Sequence, residues 1–458
     1  MFDLPFRVLQ RFRPFELVAP GFVLVDQAAD QAADQGGLTR TDQSPVAPFA
    51  AIELEVQQVS GPGVAAGLVT ADDEHVLVAH DPGRSRVTIE VRTRGRTRVV
   101  KRRTVDLVAP FRLGLVLCEN QVTGVADTGS GWQPVLTMRD KVAKLVDLRD
   151  PAVLCRYAFA YGPRAGGGTV RLGRVRAGAF GYTGLRDPHL VQHPDGRPYV
   201  RDGLAYLTFT CAGMGFFQQA HWGVFTLDLA DPTSVTQVAQ LYFRRAGLVL
   251  GDHAGQLIVD EDAGRSIVGV SSWGDFDFNG VHVRHLSTSE DLLSGVHLLD
   301  SEVLDLPTSV GSWDPSFTRI GDRWHVAFVE SPSQAPFDFH PALALGPTGA
   351  AHDTGLELVG RDATVRQCEG PIIQRLHGQW YVLASSKDAR EYPVYDLRMD
   401  RVGVLDAPYL TNIPHPQIVD LADGGYLMVS FDGAPYGKAV LGYGGHGDVV
   451  VMRVAKSG

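Results

Sequence analysis

The chain has 458 residues, 44% of them hydrophobic, with a net charge near −10. That length exceeds one ordinary domain and supplies apolar residue enough for two cores, while the acidic balance argues against a nucleic acid as the main partner. No run of about 18 apolar residues is present to span a membrane, and the opening MFDLPFRVLQRFRPF lacks the basic and then unbroken apolar run of a leader, so the chain reads as cytoplasmic unless a leader was removed.

From about Phe15 to Phe180 short bursts of alternating apolar and polar residues, such as AAIELEVQQV, HVLVAH and FRLGLVLCENQVTGVAD, are separated by Gly, Pro and Asp. This is the period-2 signal of strands punctuated by turns. Residues 1–180 are therefore expected to form two packed antiparallel sheets. The cadence of LGLVLCENQVTGVAD, a Gly-rich turn and a Trp resembles the concanavalin-type jelly rolls found beside carbohydrate-active domains. Within this part RGRTRVVKRR (Arg94 to Arg103) alternates cations with Val and Thr and reads as a solvated strand face. Asp150, in the first of two LRDP tetrapeptides, reads as a turn residue capping its own backbone. The four cysteines, Cys118, Cys155, Cys211 and Cys368, show no metal or disulfide spacing and are expected to be reduced thiols.

Residues 181–458 repeat themselves. DPHLVQHPDGRPYVRDGLAYLTFT, DPSFTRIGDRWHVAFVES, EGPIIQRLHGQWYVLASS, HPQIVDLADGGYLMVSFDG and the fainter DHAGQLIVDEDAGRSIVGVSS each run through an apolar strand, a Gly/Asp turn and a second strand. They start at Asp187, Asp252, Asp314, Glu369 and His415, spaced 65, 62, 55 and 46 residues apart. Five such units predict a five-bladed β-propeller, closed by Gly447 to Arg453 against the first blade, with a second sandwich as the alternative. The fold class is thus all-β: a sandwich followed by a propeller. A propeller brings one position of each repeat to the axis, so Asp187, Asp314 and Glu369, with Asp252 and His415, are expected around one pocket. Like charges gathered there would separate carboxyl pKa values for acid and base work, which glycoside hydrolysis requires.

The order Asp, Asp, Glu, carried by RDPHL, WDPSF and CEGPI, resembles the five-bladed propeller glycosidases of glycoside hydrolase family 43 and its relatives. The resemblance implies Asp187 as general base, Asp314 as modulator and Glu369 as general acid, acting on a terminal pentofuranosyl or xylosyl unit with inversion. It implies an oligosaccharide or polysaccharide as partner and no obligatory cofactor, with His415 in the channel and a calcium ion or water beside it. The RDP element also resembles fructan-processing propellers, where the first Asp is a nucleophile and configuration is retained; their Asn-Asp-Pro element is missing here, as is the Trp-Ala-Pro element that usually opens the second blade of family 43. A carbohydrate-binding propeller without catalysis is the third reading. Sugar-binding candidates are Trp313, Trp273, Arg186, Asp252 and His415, with Phe216, Phe217, Trp222 and Lys387 behind them. Asp275 to Gly280 imitates half of a calcium loop but has Leu286 where a Glu is needed, and His282 and His285, three apart on a strand, face opposite sides and cannot share a metal. No pattern in the sequence speaks to oligomeric state.

Overall fold

The computed structural model describes residues 4–28, 37–166, 168–276, 280–435 and 446–454. Two six-stranded antiparallel sheets form the first part. One runs in the order Gln133–Met138, Gln121–Asp127, Phe111–Cys118, Phe49–Val59, Val170–Tyr182, Glu16–Ala28; the other runs Thr39–Arg40, Tyr157–Pro163, Val64–Thr70, His75–Asp81, Arg86–Thr93, Arg96–Thr104. Ile52, Leu54, Leu113 and Leu115 of the former share one buried core with Leu68, Val76, Val78 and Ile89 of the latter. The basic stretch forms the edge strand Arg96–Thr104, its cations in solvent, an arrangement that also discourages edge-to-edge pairing. Asp150 Oδ1 accepts from the Ala152 N–H at 2.8 Å. Beyond it Pro151–Leu154 is a helical turn, favoured by Pro at the first helical position and the carboxylate cap.

Five further sheets follow. The first holds Leu185–Leu190, Leu204–Cys211, His221–Asp228, Val235–Arg245 and Leu248–Leu250; the second His253–Asp260, Arg265–Ser271, Val283–Thr288 and Glu302–Val303. The third holds Gly311–Ile320, Arg323–Gln334, Phe337–Leu345 and Glu357–Arg361, and the fourth Cys368–Leu376, Gln379–Ser386, Pro393–Tyr395 and Arg401–Val404. Hairpins join the first two strands of each; at His377-Gly378 both residues have positive φ, 49° and 82°, as a two-residue turn matching strand twist requires. The fifth sheet contains Gln417–Asp420, Tyr426–Pro435 and His446–Val454, and its fourth strand is Arg7–Phe12 from the other end of the chain.

Buried clusters link these sheets pairwise in a cycle. Trp222 and Val224 of the first pack with Leu257 and Val268 of the second, Ile258 and Ile267 of the second with Phe317 and Val326 of the third. Ala327 and Leu343 of the third pack with Ile373 and Val382 of the fourth, and Leu376 and Leu383 of the fourth with Ile418 and Met428 of the fifth. Val429 and Val451 of the fifth return to Leu207 and Phe209 of the first. Inner strands buried on both faces explain why Ile372-Ile373 and Val382-Leu383-Ala384 show no alternation. A separate cluster joins Phe49, Val116 and Phe180 of the first part to Met214, Tyr242 and Val249 of the first sheet.

The position of Arg7–Phe12 corrects the reading of residues 1–180 as one unit and of the last strand as pairing with the first sheet. His446–Val454 lies between Tyr426–Pro435 and Arg7–Phe12. Ion pairs fix the added strand: Arg11 Nη2 lies 2.7 Å from Asp432 Oδ2 and 2.8 Å from Asp448 Oδ2, and Arg13 Nε lies 2.5 Å from Asp448 Oδ1. Among the described residues no helix is long and apolar enough to cross a membrane, and the four cysteines are free thiols.

Deleting residues 1–13 should lower the melting temperature by several degrees and promote association through the bared edge, read by calorimetry and size-exclusion chromatography. Arg11→Met alone should cost about 1 kcal/mol, because Arg11 is half exposed and its ion pairs are screened. Unchanged melting of the truncated chain would mean that the N-terminal strand is not part of the closure.

Candidate active site

The first strand of each of the first four sheets slips in register against its neighbour, between Arg186 and His189, His253 and Gln256, Trp313 and Ser316, and Glu369 and Ile372. One residue in each bulge has positive φ: Asp187 at 50°, Ala254 at 54°, Asp314 at 50° and Gly370 at 63°. Non-glycine side chains rarely adopt that conformation, which costs on the order of 1–3 kcal/mol and collects at functional sites. Pro188, Pro315 and Pro371 follow three of these residues. Proline has no N–H for the ladder, and a bulge is where a sheet tolerates its absence.

The displaced backbone N–H groups are recovered by the preceding sheet. The Ala254 N–H donates to Thr210 Oγ1 at 3.2 Å, the Asp314 N–H to Ser271 Oγ at 2.9 Å, and the Gly370 N–H to Asp314 Oδ2 at 3.1 Å. This register corrects the sequence alignment. Asp187 and Asp314 do occupy one position. Glu369 stands one residue earlier, level with Arg186, His253 and Trp313, and its longer side chain makes up the difference. Asp252 stands two residues before the bulge residue Ala254.

The three carboxylates nevertheless meet. Asp187, Asp314 and Glu369 line one pocket of about 430 Å³, with Arg186, His253 and Lys387 as its other ionisable groups. Phe216, Phe217, Trp273, Phe276, Phe337 and Phe339 supply an aromatic wall. Arg186 Nε lies 3.3 Å from Asp187 Oδ2. The Trp313 indole N–H donates to Glu369 Oε2 at 3.2 Å. Burial, and then the nearby Asp187 charge, push Glu369 up to about 8, against the opposing pull of the Trp313 hydrogen bond, Lys387 and Arg186. Burial, followed by Glu369 and Asp187, raises Asp314 well above the usual carboxylic range, and the Gly370 N–H pulls the other way. Burial keeps His253 neutral, lowering it well below the usual imidazole value. At neutral pH the pocket therefore presents the Glu369 carboxylic acid beside the ion-paired Asp187, an arrangement able to give a proton on one side and take one on the other.

Several candidates have other duties. Trp313 is 1% exposed and packs against Phe337 and Phe339, with ring centroids 5.7 and 5.3 Å away; its edge holds Glu369, so it is a positioning residue more than a sugar platform. Trp273, in the turn Trp273–Asp275, lies against Phe217 and Phe276 at 4.7 and 5.0 Å and does face the pocket. Trp222 lies in strand His221–Asp228 and is buried between the first two sheets, away from the pocket, whereas Lys387 lines the pocket.

Asp252 does not line the pocket. It is fully buried, paired with the Arg245 guanidinium, and accepts from the Gly274 N–H at 2.9 Å; Arg245 Nη2 also lies 2.6 Å from Asp275 Oδ1. Asp252 thus secures the turn that carries Trp273. Asp275, the first residue of the calcium-like half-loop, is committed to this pair, and residues 277–279 of that half-loop lie outside the described residues.

His415 lies on the far side of Asp314 from the aromatic wall, in a small void shared with His189, Pro188, Pro315 and Pro371. Its Nε2 is 3.5 Å from Asp314 Oδ2, and burial lowers its pKa. Gly370 is required beneath it, since a Cβ there would stand 2.3 Å from the His415 ring. His253 was missed by the sequence reading, although shifting the second repeat by two residues aligns HAGQL with WDPSF and exposes it.

No protein-family model matches the chain, and no protein of curated function matches it by sequence. Solved structures are similar to it. A GH43_1 enzyme from Xanthomonas citri is 15% identical, with 58% of this chain and 86% of that one covered at a TM-score of 0.40. A GH43 β-xylosidase/α-arabinofuranosidase from a compost microbial metagenome, in complex with xylotriose, is 12% identical over 60% of this chain and 92% of its own, TM-score 0.42. An inulosucrase from Halalkalicoccus jeotgali bound to kestose is 16% identical over 60% and 85%, TM-score 0.45.

Asp252→Ala should destabilise the chain by about 3–5 kcal/mol, since it leaves a buried guanidinium half paired, and should red-shift tryptophan emission as the turn that buries Trp273 loosens; an unchanged melting curve would refute the role. Glu369→Gln should do the opposite. With the folded value near 8 and the ordinary one at 4.5, the native acid is favoured when protonated. Its contribution is complete below about pH 4.5 and is lost as pH rises through about 8. The melting advantage of Glu369→Gln over the native chain should therefore grow across that window and vanish below it.

Proposed function

We propose that the five cyclically packed sheets are the blades of a five-bladed β-propeller preceded by a jelly-roll sandwich, and that the protein is a glycoside hydrolase cleaving terminal pentofuranosyl or xylosyl units with inversion. The observation that carries this reading is the meeting of Asp187, Asp314 and Glu369 in one aromatic-walled pocket where Glu369 is held protonated to about pH 8. Such a set is what glycosidic cleavage needs and what sugar binding alone does not, since burying like charges is costly without a chemical use.

In the proposed reaction Glu369 gives its proton to the glycosidic oxygen as the bond to the anomeric carbon breaks. Asp187, ion-paired to Arg186, takes a proton from water, whose oxygen attacks that carbon from the opposite face. The product is the inverted hemiacetal, and solvent returns Glu369 and Asp187 to their starting protonation. Asp314, accepting from the Gly370 N–H, fixes the backbone next to the acid, and the Asp187 charge adds to the burial that keeps the acid protonated. Trp273, Phe216 and Phe217 offer apolar faces to the sugar ring, and Arg186 and Lys387 donors to its hydroxyls. The pentose preference and the stereochemical course rest on the family resemblance of RDPHL, WDPSF and CEGPI.

Glu369→Gln should lower turnover on alkyl or oligosaccharide leaving groups by about 10²–10⁴-fold while sparing aryl pentosides with an activated leaving group; equal loss on both would remove Glu369 as the acid. The native pH profile of kcat/KM should fall on the alkaline side near pH 8, the limb that Glu369→Gln abolishes. Proton NMR of the first anomer released separates inversion from retention through Asp187, and binding without release of any sugar would favour a carbohydrate-binding protein.

A further inference from the structure

Away from the pocket, three potential metal ligands converge where the second and third sheets meet. His285 lies on Val283–Thr288 of the second sheet, and His352 and Asp353 lie in the connection from Phe337–Leu345 to Glu357–Arg361 of the third. His285 Nδ1 is 3.2 Å from His352 Nε2 and 3.8 Å from Asp353 Oδ2. A tetrahedral zinc ion with bonds of about 2.0–2.1 Å holds its ligand atoms about 3.3 Å apart. The two nitrogens already have that spacing, the carboxylate is about half an ångström beyond it from His285, and all three ligand atoms lie within 4.8 Å of one another. The Asp353 side chain is 34% exposed and has room to move.

A hydrogen bond between the imidazoles would account for the short nitrogen distance alone. It does not account for the two carboxylates. Glu302 Oε1 approaches the opposite nitrogen of His285, Nε2, at 3.6 Å, the position from which a carboxylate orients a metal-bound histidine. With Nε2 protonated toward Glu302, Nδ1 turns a lone pair toward the Asp353 carboxylate, and a cation between them satisfies both. The neighbouring guanidiniums are engaged elsewhere: Arg284 donates to Ser301 Oγ at 2.9 Å, and Arg265 lies 3.7 Å from Asp260. His352 is buried at the edge of the cluster joining the two sheets, its ring against Phe317 and Trp324 at 5.7 and 5.9 Å. Asp353 and Glu302 open to solvent and provide an entry path.

We propose that His285, His352 and Asp353 bind one zinc ion, with water as fourth ligand, and that the ion staples the second sheet to the third. Titration of the chelator-treated full chain with zinc chloride, followed by calorimetry, should give one equivalent bound and a melting temperature that rises with zinc. His285→Ala and His352→Ala should each weaken binding by at least about 100-fold and abolish the thermal response, and Glu302→Gln should weaken it by about 10–100-fold. Cobalt(II) added to the native chain should show the visible bands of a tetrahedral ion. Should a histidine variant fail to fold, Asp353→Asn and the cobalt spectrum of the native chain decide. The proposal is overturned if the native chain takes up no zinc, if uptake is unchanged in the histidine variants and Asp353→Asn, or if cobalt gives no tetrahedral bands.

Discussion

The bulge near the start of the inner strands is the constraint on which the site depends. A strand in regular pleat would alternate its side chains between the two faces of its sheet. Positive φ at Asp187, Asp314 and Gly370 interrupts that alternation and aims consecutive residues at the open end of the ring. The interruption leaves a backbone N–H without a ladder partner in a buried place, worth about 1–3 kcal/mol if unmet. At Ala254, Asp314 and Gly370 the missing acceptor is supplied from the preceding sheet by Thr210, Ser271 and Asp314. The strain is thus over-determined by neighbours, the condition under which such backbone persists. Asp314 has a double position in this relay: it is itself a bulge residue, and its carboxyl oxygen accepts from the next one.

That double position shapes the electrostatics. A carboxyl that accepts from a buried N–H is drawn toward ionisation, yet burial and two like neighbours push Asp314 further the other way. A neutral acid still accepts through its carbonyl oxygen, so the relay survives protonation. Glu369 escapes the tension because its support comes from a side chain, the Trp313 indole, which can be lost or strengthened without disturbing a strand. Asp314 is thus tied to the backbone of the next strand, whereas Glu369 is held by a side chain alone. The same division explains the tryptophan. An indole donor is always a donor, so it steadies the carboxylate after proton release, and its placement beneath Phe337 and Phe339 keeps water from replacing it.

Much of this was legible in the sequence because the repeat carries it. Strand alternation, Gly/Asp turns and the recurrence of an acidic residue beside Pro located the five sheets and three carboxylates. What failed was register. A bulge adds one residue on one strand, so alignment by first acidic residue set Asp252 beside Asp187 when Ala254 is its equivalent, and so hid His253. The closing strand was unreadable for another reason: RVLQRF carries no mark of its partner, which lies 437 residues away at the Arg11 to Asp448 pair. His352, too, sits in a connection whose sequence, GAAHDTG, reads as loop; only folding brings it to His285.

The half-turn after Asp252 shows how a repeat can keep an acid while changing its use. In the first and third sheets the acid sits on the bulge and faces the pocket. In the second the bulge residue is Ala254, without a functional side chain, and the charge has moved two residues back into the wall. There it accepts from Gly274 and pairs with Arg245, fixing the turn on which Trp273 and Phe276 enter the pocket. A further acid on the bulge would have joined a site that already gathers three carboxyls, and each further one raises the penalty on all the rest. Removing it from the axis and spending it on an aromatic wall gives the pocket shape without further repulsion. The pocket thus divides its lining: the carboxyls come from the first, third and fourth sheets, and the apolar surface from the connections that carry Phe216 and Phe217 and Trp273 and Phe276 and from the start of strand Phe337–Leu345.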